Sequence, residues 1–455
     1  MTHVFARTIL REYDIRGTVG TTLSTADAYA VGRGFATVVR DAGGSRVAVG
    51  YDGRLTSPML EAALVEGLVA SGVDVVRIGL GPTPMLYWSE AHLQVDGGIQ
   101  VTGSHNPRDD NGFKLVLRHR SFFGAAIQQL AQRAATGDWA SGDGTVTDVA
   151  ILDAYVARLM AGYTGGTYRI GWDCGNGASG PVIEQLVKLL PGEHHVLHAD
   201  VDGDFPHHHP DPTIEANLAD LKQLVAERNL HFGVAFDGDG DRIGAVDAQG
   251  RVVWADQLLS ILAQPVLAAL PGATIIGDVK ASSALFDRIT ALGGTPLMWK
   301  SGHSLMKEKL HATGAPLAGE MSGHIFFAHD FYGVDDAHYA AIRLIGALHD
   351  TGRSLGDLRD ALPDYVSTPE LRFAVAEARK VGIVDDVVAR LAADGAIVDL
   401  TDGARVTTPD GWWLLRASNT QAALTVRAEA RDPAALDRLL AAMDAQLAAS
   451  GVARD

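Results

Sequence analysis

The chain has 455 residues, 47% of them hydrophobic and 20% charged, with a formal net charge of −17. That length exceeds one hydrophobic core and predicts three or four domains, and the composition excludes a disordered chain. So acidic a protein is poorly suited to nucleic acid or an anionic membrane, and any anionic ligand must be met by positive charge gathered locally. Cys174 is the only cysteine, which excludes an intrachain disulfide and points to a reducing compartment. Met1 to Arg16 carries Arg7, Arg11, Glu12 and Asp14 and lacks the apolar core of a signal peptide. The most apolar stretch, Leu258 to Ile276, is broken by Gln264, Pro265 and Pro271. The expectation is a cytoplasmic protein with no membrane partner.

In chain order, an apolar strand ending in an aspartate turn occurs three times: Val47 to Asp52, Ile170 to Asp173 and Ile275 to Asp278. Each is followed by a helical pattern, at Met59 to Ala70, Val182 to Leu190 and Ser283 to Leu292. Each block then reaches a second turn rich in glycine and polar groups: Thr102 to Pro107, Asp237 to Arg242, and Gly319 to His324. Alternating strands and helices predict α/β layers with mainly parallel or mixed sheets, which place ligands at strand ends. Three related units, at 1–150, 151–252 and 253–363, would each deliver one polar loop to a shared central cleft. The remainder, 364–455, reads as a smaller α+β domain. It has a short strand at Trp412 to Leu415, a polar turn at Arg416 to Gln421, an alternating strand at Ala422 to Ala430 and a terminal helix opened by Pro433.

Two of the loops carry chemistry. Ser104 follows the apolar strand Gly98 to Val101, with His105, Asn106 and Lys114 nearby. A serine hydroxyl needs a base, a metal or a positive field to become a nucleophile, and a turn serine taken alone reads first as a backbone cap. Asp237, Asp239 and Asp241 alternate with glycines, so their carboxylates can converge as hard ligands for Mg²⁺. A calcium loop of the EF-hand type is excluded because its twelfth position is Ala248, while a plain acidic turn partly neutralised by Arg242 stays open. His207, His208 and His209, between Pro206 and Pro210, read as an exposed loop, and Cys174 as structural. The pair Trp412 and Trp413 reads as core and as support for the polar turn after it.

The chain resembles the α-D-phosphohexomutases, in particular the bacterial phosphomannomutase/phosphoglucomutase group. Tyr13 to Gly17, Thr102 to Pro107, Asn111 to Lys114, Asp237 to Arg242, Gly319 to His324 and Arg416 to Thr420 match family motifs in family order. The resemblance covers nearly the whole chain. It implies three similar α/β domains and a C-terminal domain like the TATA-binding-protein fold. It also implies a phosphorylated Ser104, with Mg²⁺ held by Asp237, Asp239, Asp241 and the phosphoserine oxygen. Glu320 and Ser322, with His324 nearby, would recognise sugar hydroxyls. Arg416, Ser418, Asn419 and Thr420 would grip the phosphate that is not reacting. Tyr13 belongs with the substrate contacts, and Arg242, Lys280 and His303 fall at matching positions that add local positive charge.

The implied reaction is reversible phosphoryl transfer between O1 and O6 of glucose and mannose phosphates through a hexose 1,6-bisphosphate, with glucose 1,6-bisphosphate as activator. Arg16, His105, Lys114 and His303 are unranked candidates for moving the protons. A phosphoglucosamine mutase and a metal-dependent sugar phosphatase are the alternatives. Met321 favours the mannose/glucose group over the former, and the two-ended grip argues against the latter. Gln421 departs from the usual pattern of the phosphate turn. The partners expected are hexose phosphates, and the expected state is a monomer.

Overall fold

Apolar runs of five or six residues, each closed by a Gly/Asp turn, form the central strands of three sheets. The computed structural model describes residues 2–418 and 422–453; Asn419 and Thr420, assigned above to the phosphate turn, lie outside them. The first sheet contains β1 (Ile15–Thr18), β2 (Arg46–Tyr51), β3 (Asp74–Leu80), β4 (Gly97–Val101), β5 (Asp110–Leu117), β6 (Arg120–Ser121) and β7 (Val146–Asp148). The second contains β8 (Tyr168–Asp173), β9 (Gly192–Leu197), β10 (Phe232–Phe236), β11 (Ile243–Asp247) and β12 (Val252–Val253). The third contains β13 (Thr274–Asp278), β14 (Thr295–Trp299), β15 (Leu317–Gly319), β16 (Ile325–Phe327) and β17 (Val334–Asp335).

All three sheets are mixed and repeat one topology. A first strand (β2, β8, β13) lies parallel between a second (β3, β9, β14) and a third (β4, β10, β15). The third then turns back into an antiparallel strand (β5, β11, β16). The three polar loops read from the sequence are the connections between third strand and return strand. This position puts each of them at the carboxyl end of a parallel strand, where α/β sheets bind ligands.

One apolar core runs across these sheets and includes Trp88, Tyr155, Trp172, Phe236, Phe327 and Tyr339. Cys174 is fully buried within it. The fourth sheet has its own core. Its strands are β18 (Val366–Ser367), β19 (Leu371–Ala374), β20 (Ile397–Asp399), β21 (Ala404–Thr408), β22 (Gly411–Ala417) and β23 (Ala423–Ala430), all antiparallel. Trp413 enters that core together with Leu424 and Met443. Trp412, one residue earlier and on the other face of β22, packs with Val279 of the third sheet's unit under the Arg405 guanidinium. The tryptophan pair thus divides: one side chain holds the domain, the other joins it to its neighbour.

In the first unit, helix Thr25–Asp41 is started by a capping box between Ser24 and Asp27 and packs on helix Ser57–Val69. Gly32 and Gly67 sit at the crossing. A Cβ on Gly32 would stand 2.2 Å from the Leu64 carbonyl, and one on Gly67 2.2 Å from that of Tyr29. Glycine is there because backbone meets backbone. Gly67→Ala is expected to destabilise the protein by about 1–3 kcal/mol through overpacking. The urea midpoint of unfolding reads this, and an unchanged midpoint would refute so close a crossing.

Candidate active site

The turn after β4 holds Ser104 in a left-handed conformation, φ 50°, with the residue 1% exposed. Its N–H donates to Thr102 Oγ1 at 2.8 Å, and its Oγ donates to Asp237 Oδ2 at 2.8 Å, across from the first sheet to the second. His105 Nδ1 lies 3.2 Å from the same Oγ. Burial, with Arg242 and Arg16 nearby, pushes the His105 imidazole well below its ordinary pKa.

The turn after β10 brings Asp237, Asp239 and Asp241 together, all fully buried, with one ligand atom of each within 4.8 Å of the others. Lys114, on β5, reaches Asp239 Oδ2 at 2.7 Å and Asp241 Oδ2 at 2.5 Å. Burial opposes the ammonium charge, but the two aspartates overcome it and hold the Lys114 pKa above its usual value. Burial likewise opposes the charge on Asp239, and Lys114 with the Thr83 hydroxyl outweighs it, so that carboxyl is held low. Asp237 is pushed well up by burial and by the charges of Asp239 and Asp241. Lys114 leaves the triad half-satisfied: Asp239 Oδ1 and Asp241 Oδ1 are buried with no hydrogen-bond partner. Converging hard oxygens with orphaned lone pairs fit Mg²⁺.

The third loop closes against the second. Arg242 and His324 form an antiparallel bridge, and Arg242 Nε donates to His324 Nε2 at 3.1 Å. His324 Nδ1 lies 3.0 Å from Asp335 Oδ2, while Lys307 donates to Asp335 Oδ1 at 2.9 Å. Glu320 Oε1 accepts from the Gly302 N–H at 2.5 Å, whereas its Oε2 is buried and unpartnered. Burial raises the Glu320 pKa, partly offset by His324. Ser322 is half-buried in the same turn. His303 stacks near His324 with ring centroids 5.5 Å apart and meets Tyr13 edge-on at 5.8 Å. Tyr13 donates to the Ser301 carbonyl at 3.0 Å.

Arg16 joins the serine loop, donating to Asn106 Oδ1 at 2.7 Å and pairing with Asp14. Lys280 lies 3.9 Å from Asp278 and 3.4 Å from Glu370 of the C-terminal domain. Arg416, on β22, pairs with Asp402 at 2.9 Å, and Asp402 accepts from the Ser301 N–H at 3.1 Å; the Nε of Arg416 is buried without a partner. The Ser418 carbonyl accepts from Lys380 at 2.7 Å.

Sequence reasoning passed over Arg54, which the fold makes central. Its guanidinium, fully buried, donates to the carbonyls of Ser104, Asn106, Pro107 and Asp110 and so holds the serine turn in shape. Asp52, at the end of the first repeated strand, lies 3.4 Å from it and accepts from the Gly103 N–H. The Asp-Gly-Arg turn closing that strand was the available signal. Thr83 and Asp335 were also missed. Thr83 Oγ1 donates to Asp239 at 2.5 Å from 156 residues away.

A hydroxyl against a carboxylate triad, ringed by cations and backed by two further polar loops, defines a multidomain α/β enzyme built to handle phosphate. The comparisons agree with this class. Phosphoglucomutase/phosphomannomutase family models match in order: alpha/beta/alpha domain I over residues 7–140, domain II over 153–250, domain III over 254–365 and the C-terminal domain over 370–446. A phosphomannomutase/phosphoglucomutase of Pseudomonas putida is 45% identical, over 95% of this chain and 93% of that one. One of Pseudomonas aeruginosa is 42% identical, over 97% and 96%. A phosphoglucomutase/phosphomannomutase family protein of Burkholderia thailandensis, solved by crystallography, superposes with a TM-score of 0.93 at 42% identity, covering 98% of both chains. The chain belongs to the phosphoglucomutase/phosphomannomutase family, a family of mutases.

Arg54→Met removes the donor to four loop carbonyls and leaves Asp52 buried beside no cation. It is expected to cost about 3–5 kcal/mol of stability, read by urea unfolding. Arg54→Lys should recover little, because an ammonium cannot reproduce the planar fork. Full recovery by lysine would show that charge alone holds the turn.

Proposed function

We propose that the protein interconverts the 1-phosphates and 6-phosphates of glucose and mannose by passing a phosphoryl group through Ser104. The observation that carries this reading is the 2.8 Å contact of Ser104 Oγ with Asp237 where three buried carboxylates converge. In the forward step phosphorylated Ser104 gives its phosphoryl group to the free hydroxyl of a bound hexose phosphate. The P–O bond to Ser104 breaks, a P–O bond to the sugar forms, the sugar hydroxyl loses its proton and Ser104 Oγ regains one. The resulting hexose 1,6-bisphosphate turns over, and its other phosphoryl group returns to Ser104. Glucose 1,6-bisphosphate activates by supplying the first phosphoryl group.

When bound, Mg²⁺ supplies charge neutralisation on the transferring oxygens, and Asp237, Asp239 and Asp241 would hold it. His105, 3.2 Å from Ser104 Oγ, is placed to carry the serine proton. Lys114, kept protonated by its aspartates, serves as fixed charge rather than as a base, as does Arg16. Glu320, with one oxygen orphaned, and Ser322 receive the sugar hydroxyls, beside His324, His303 and Tyr13. Arg416, whose Nε awaits a partner, grips the idle phosphate with Ser418, Asn419 and Thr420, while Arg242 and Lys280 add positive charge. All these groups come from one chain, so a monomer suffices, and the single cysteine supports a cytoplasmic setting.

The test is a coupled assay of 6-phosphate formation from glucose 1-phosphate and mannose 1-phosphate with Mg²⁺ and a trace of glucose 1,6-bisphosphate. Turnover of both is expected, abolished by chelator and in Ser104→Ala. Release of inorganic phosphate would make the protein a phosphatase, and turnover of glucosamine 1-phosphate alone would make it a phosphoglucosamine mutase. Arg416→Ala is expected to weaken hexose phosphate binding by about 10-fold or more, the loss of a charge-assisted fork, with the fold retained. Unaltered affinity in a calorimetric titration would remove Arg416 from the phosphate site.

A further inference from the structure

The second α/β unit carries a cluster that the mutase reading does not use. Asp173 ends β8, His198 follows β9, and His208 comes from the loop after His198, the stretch that local sequence marked as exposed. Only His207 of that tract is exposed; the His208 side chain is 14% exposed and that of His198 11%, over a fully buried Asp173. One ligand atom from each of Asp173, His198 and His208 lies within 4.8 Å of the other two.

The hydrogen bonds set the chemistry of those atoms. His208 Nδ1 donates to the His209 carbonyl at 3.0 Å, so the lone pair of the neutral ring is on Nε2. That nitrogen lies 3.1 and 3.2 Å from the two oxygens of Asp173. A lone pair facing a carboxylate needs a cation between them or a second proton on the ring. His198 Nε2 meets Asp220 Oδ2 at 3.1 Å, leaving the lone pair of its neutral ring on Nδ1. Imidazoles oriented from behind by a carbonyl and by a carboxylate have the outer arrangement typical of metal-bound histidines. The segment is also closely packed. A Cβ on Gly175 would stand 3.4 Å from His208 and 3.1 Å from Pro210, and one on Gly238 would stand 3.4 Å from Pro210 and 2.4 Å from the Ser104 carbonyl.

We propose that Asp173, His198 and His208 form a second cation site, for a borderline divalent ion of the Zn²⁺ type, which clips the 198–210 loop to the ends of β8 and β9 behind the aspartate loop. Two imidazoles and one carboxylate suit Zn²⁺ and its neighbours, whereas Mg²⁺ prefers the all-oxygen triad, so the two sites select different ions. Water completes the coordination. His207 stacks on His198 with centroids 4.0 Å apart.

The experiment uses the full-length, untagged protein saturated with Mg²⁺ and titrated with Zn²⁺ by calorimetry and with Co²⁺ by visible absorption. One equivalent of Zn²⁺ is expected, together with the intense bands of low-coordinate, nitrogen-ligated Co²⁺. His198→Ala and His208→Ala are expected to abolish uptake, and Asp220→Asn, which removes no ligand, to weaken it by about 10-fold. Mg²⁺-dependent turnover checks that each variant is folded. No saturable Zn²⁺ uptake, a weak octahedral Co²⁺ spectrum, or uptake unchanged in Asp220→Asn would overturn the site. An octahedral Co²⁺ spectrum of the wild type overturns the site even if a variant fails to fold.

Discussion

The site depends on a buried cluster of like charges that cannot stand alone. Asp237, Asp239 and Asp241 are all withdrawn from water, and such carboxylates are expensive to bury ionised without a partner. Lys114 answers two of them from the neighbouring sheet, which ties the first α/β unit to the second through one ammonium group. Burial, with the charges of Asp239 and Asp241, raises the Asp237 pKa, and Asp237 is the residue that receives the Ser104 hydroxyl. With Asp239 Oδ1 and Asp241 Oδ1 left without a hydrogen-bond partner, such a cluster could bind a metal.

Three copies of one supersecondary unit surround that cluster, and the same feature acts differently in each. The aspartate closing the first strand anchors a nearby loop every time. Asp52 accepts from Gly103 and Asp278 from Ser301 and Met321, while Asp173 accepts from Gly175 and faces His208. The loop after the third strand lies at the carboxyl end of a parallel strand in all three units, so the shared topology brings three polar turns into one region. One turn carries a hydroxyl, one a carboxylate triad and one a glutamate.

The C-terminal domain is attached in another manner. Its core is separate from the one shared by the first three units, and its junction with the third is largely polar: Arg405 to the Val279 and Ala281 carbonyls, Arg427 to the Lys280 carbonyl, Glu429 to the Ser283 N–H. Few apolar groups, chiefly Trp412 against Val279, resist separation. A domain held in this way can change its angle without exposing much apolar surface. Its arginine, with Lys114, Arg16 and Arg242, concentrates positive charge in a chain whose net charge is −17.

Short apolar runs bounded by Gly/Asp turns identified β4, β8, β10 and β13 because strand period and turn chemistry are local properties of a few residues. The same locality made the aspartate triad legible, since alternating Gly and Asp can be read without knowing what faces them, whereas Ser104 read alone looked more like a backbone cap and stood out only through the family resemblance. Arg54, Thr83 and Asp335 were not legible, since each looks ordinary among its neighbours and gains its role from a partner distant in the chain, as Thr83 does from Asp239. The histidine tract was visible, but the burial of His208 against Asp173 was not. The sequence by itself determined the α/β repeats, the order of the loops and the donor types available. Only the tertiary structure decided which buried charges meet, which oxygens stay unpaired and which imidazole nitrogen keeps its lone pair, because those depend on the approach of separate sheets rather than on spacing along one strand.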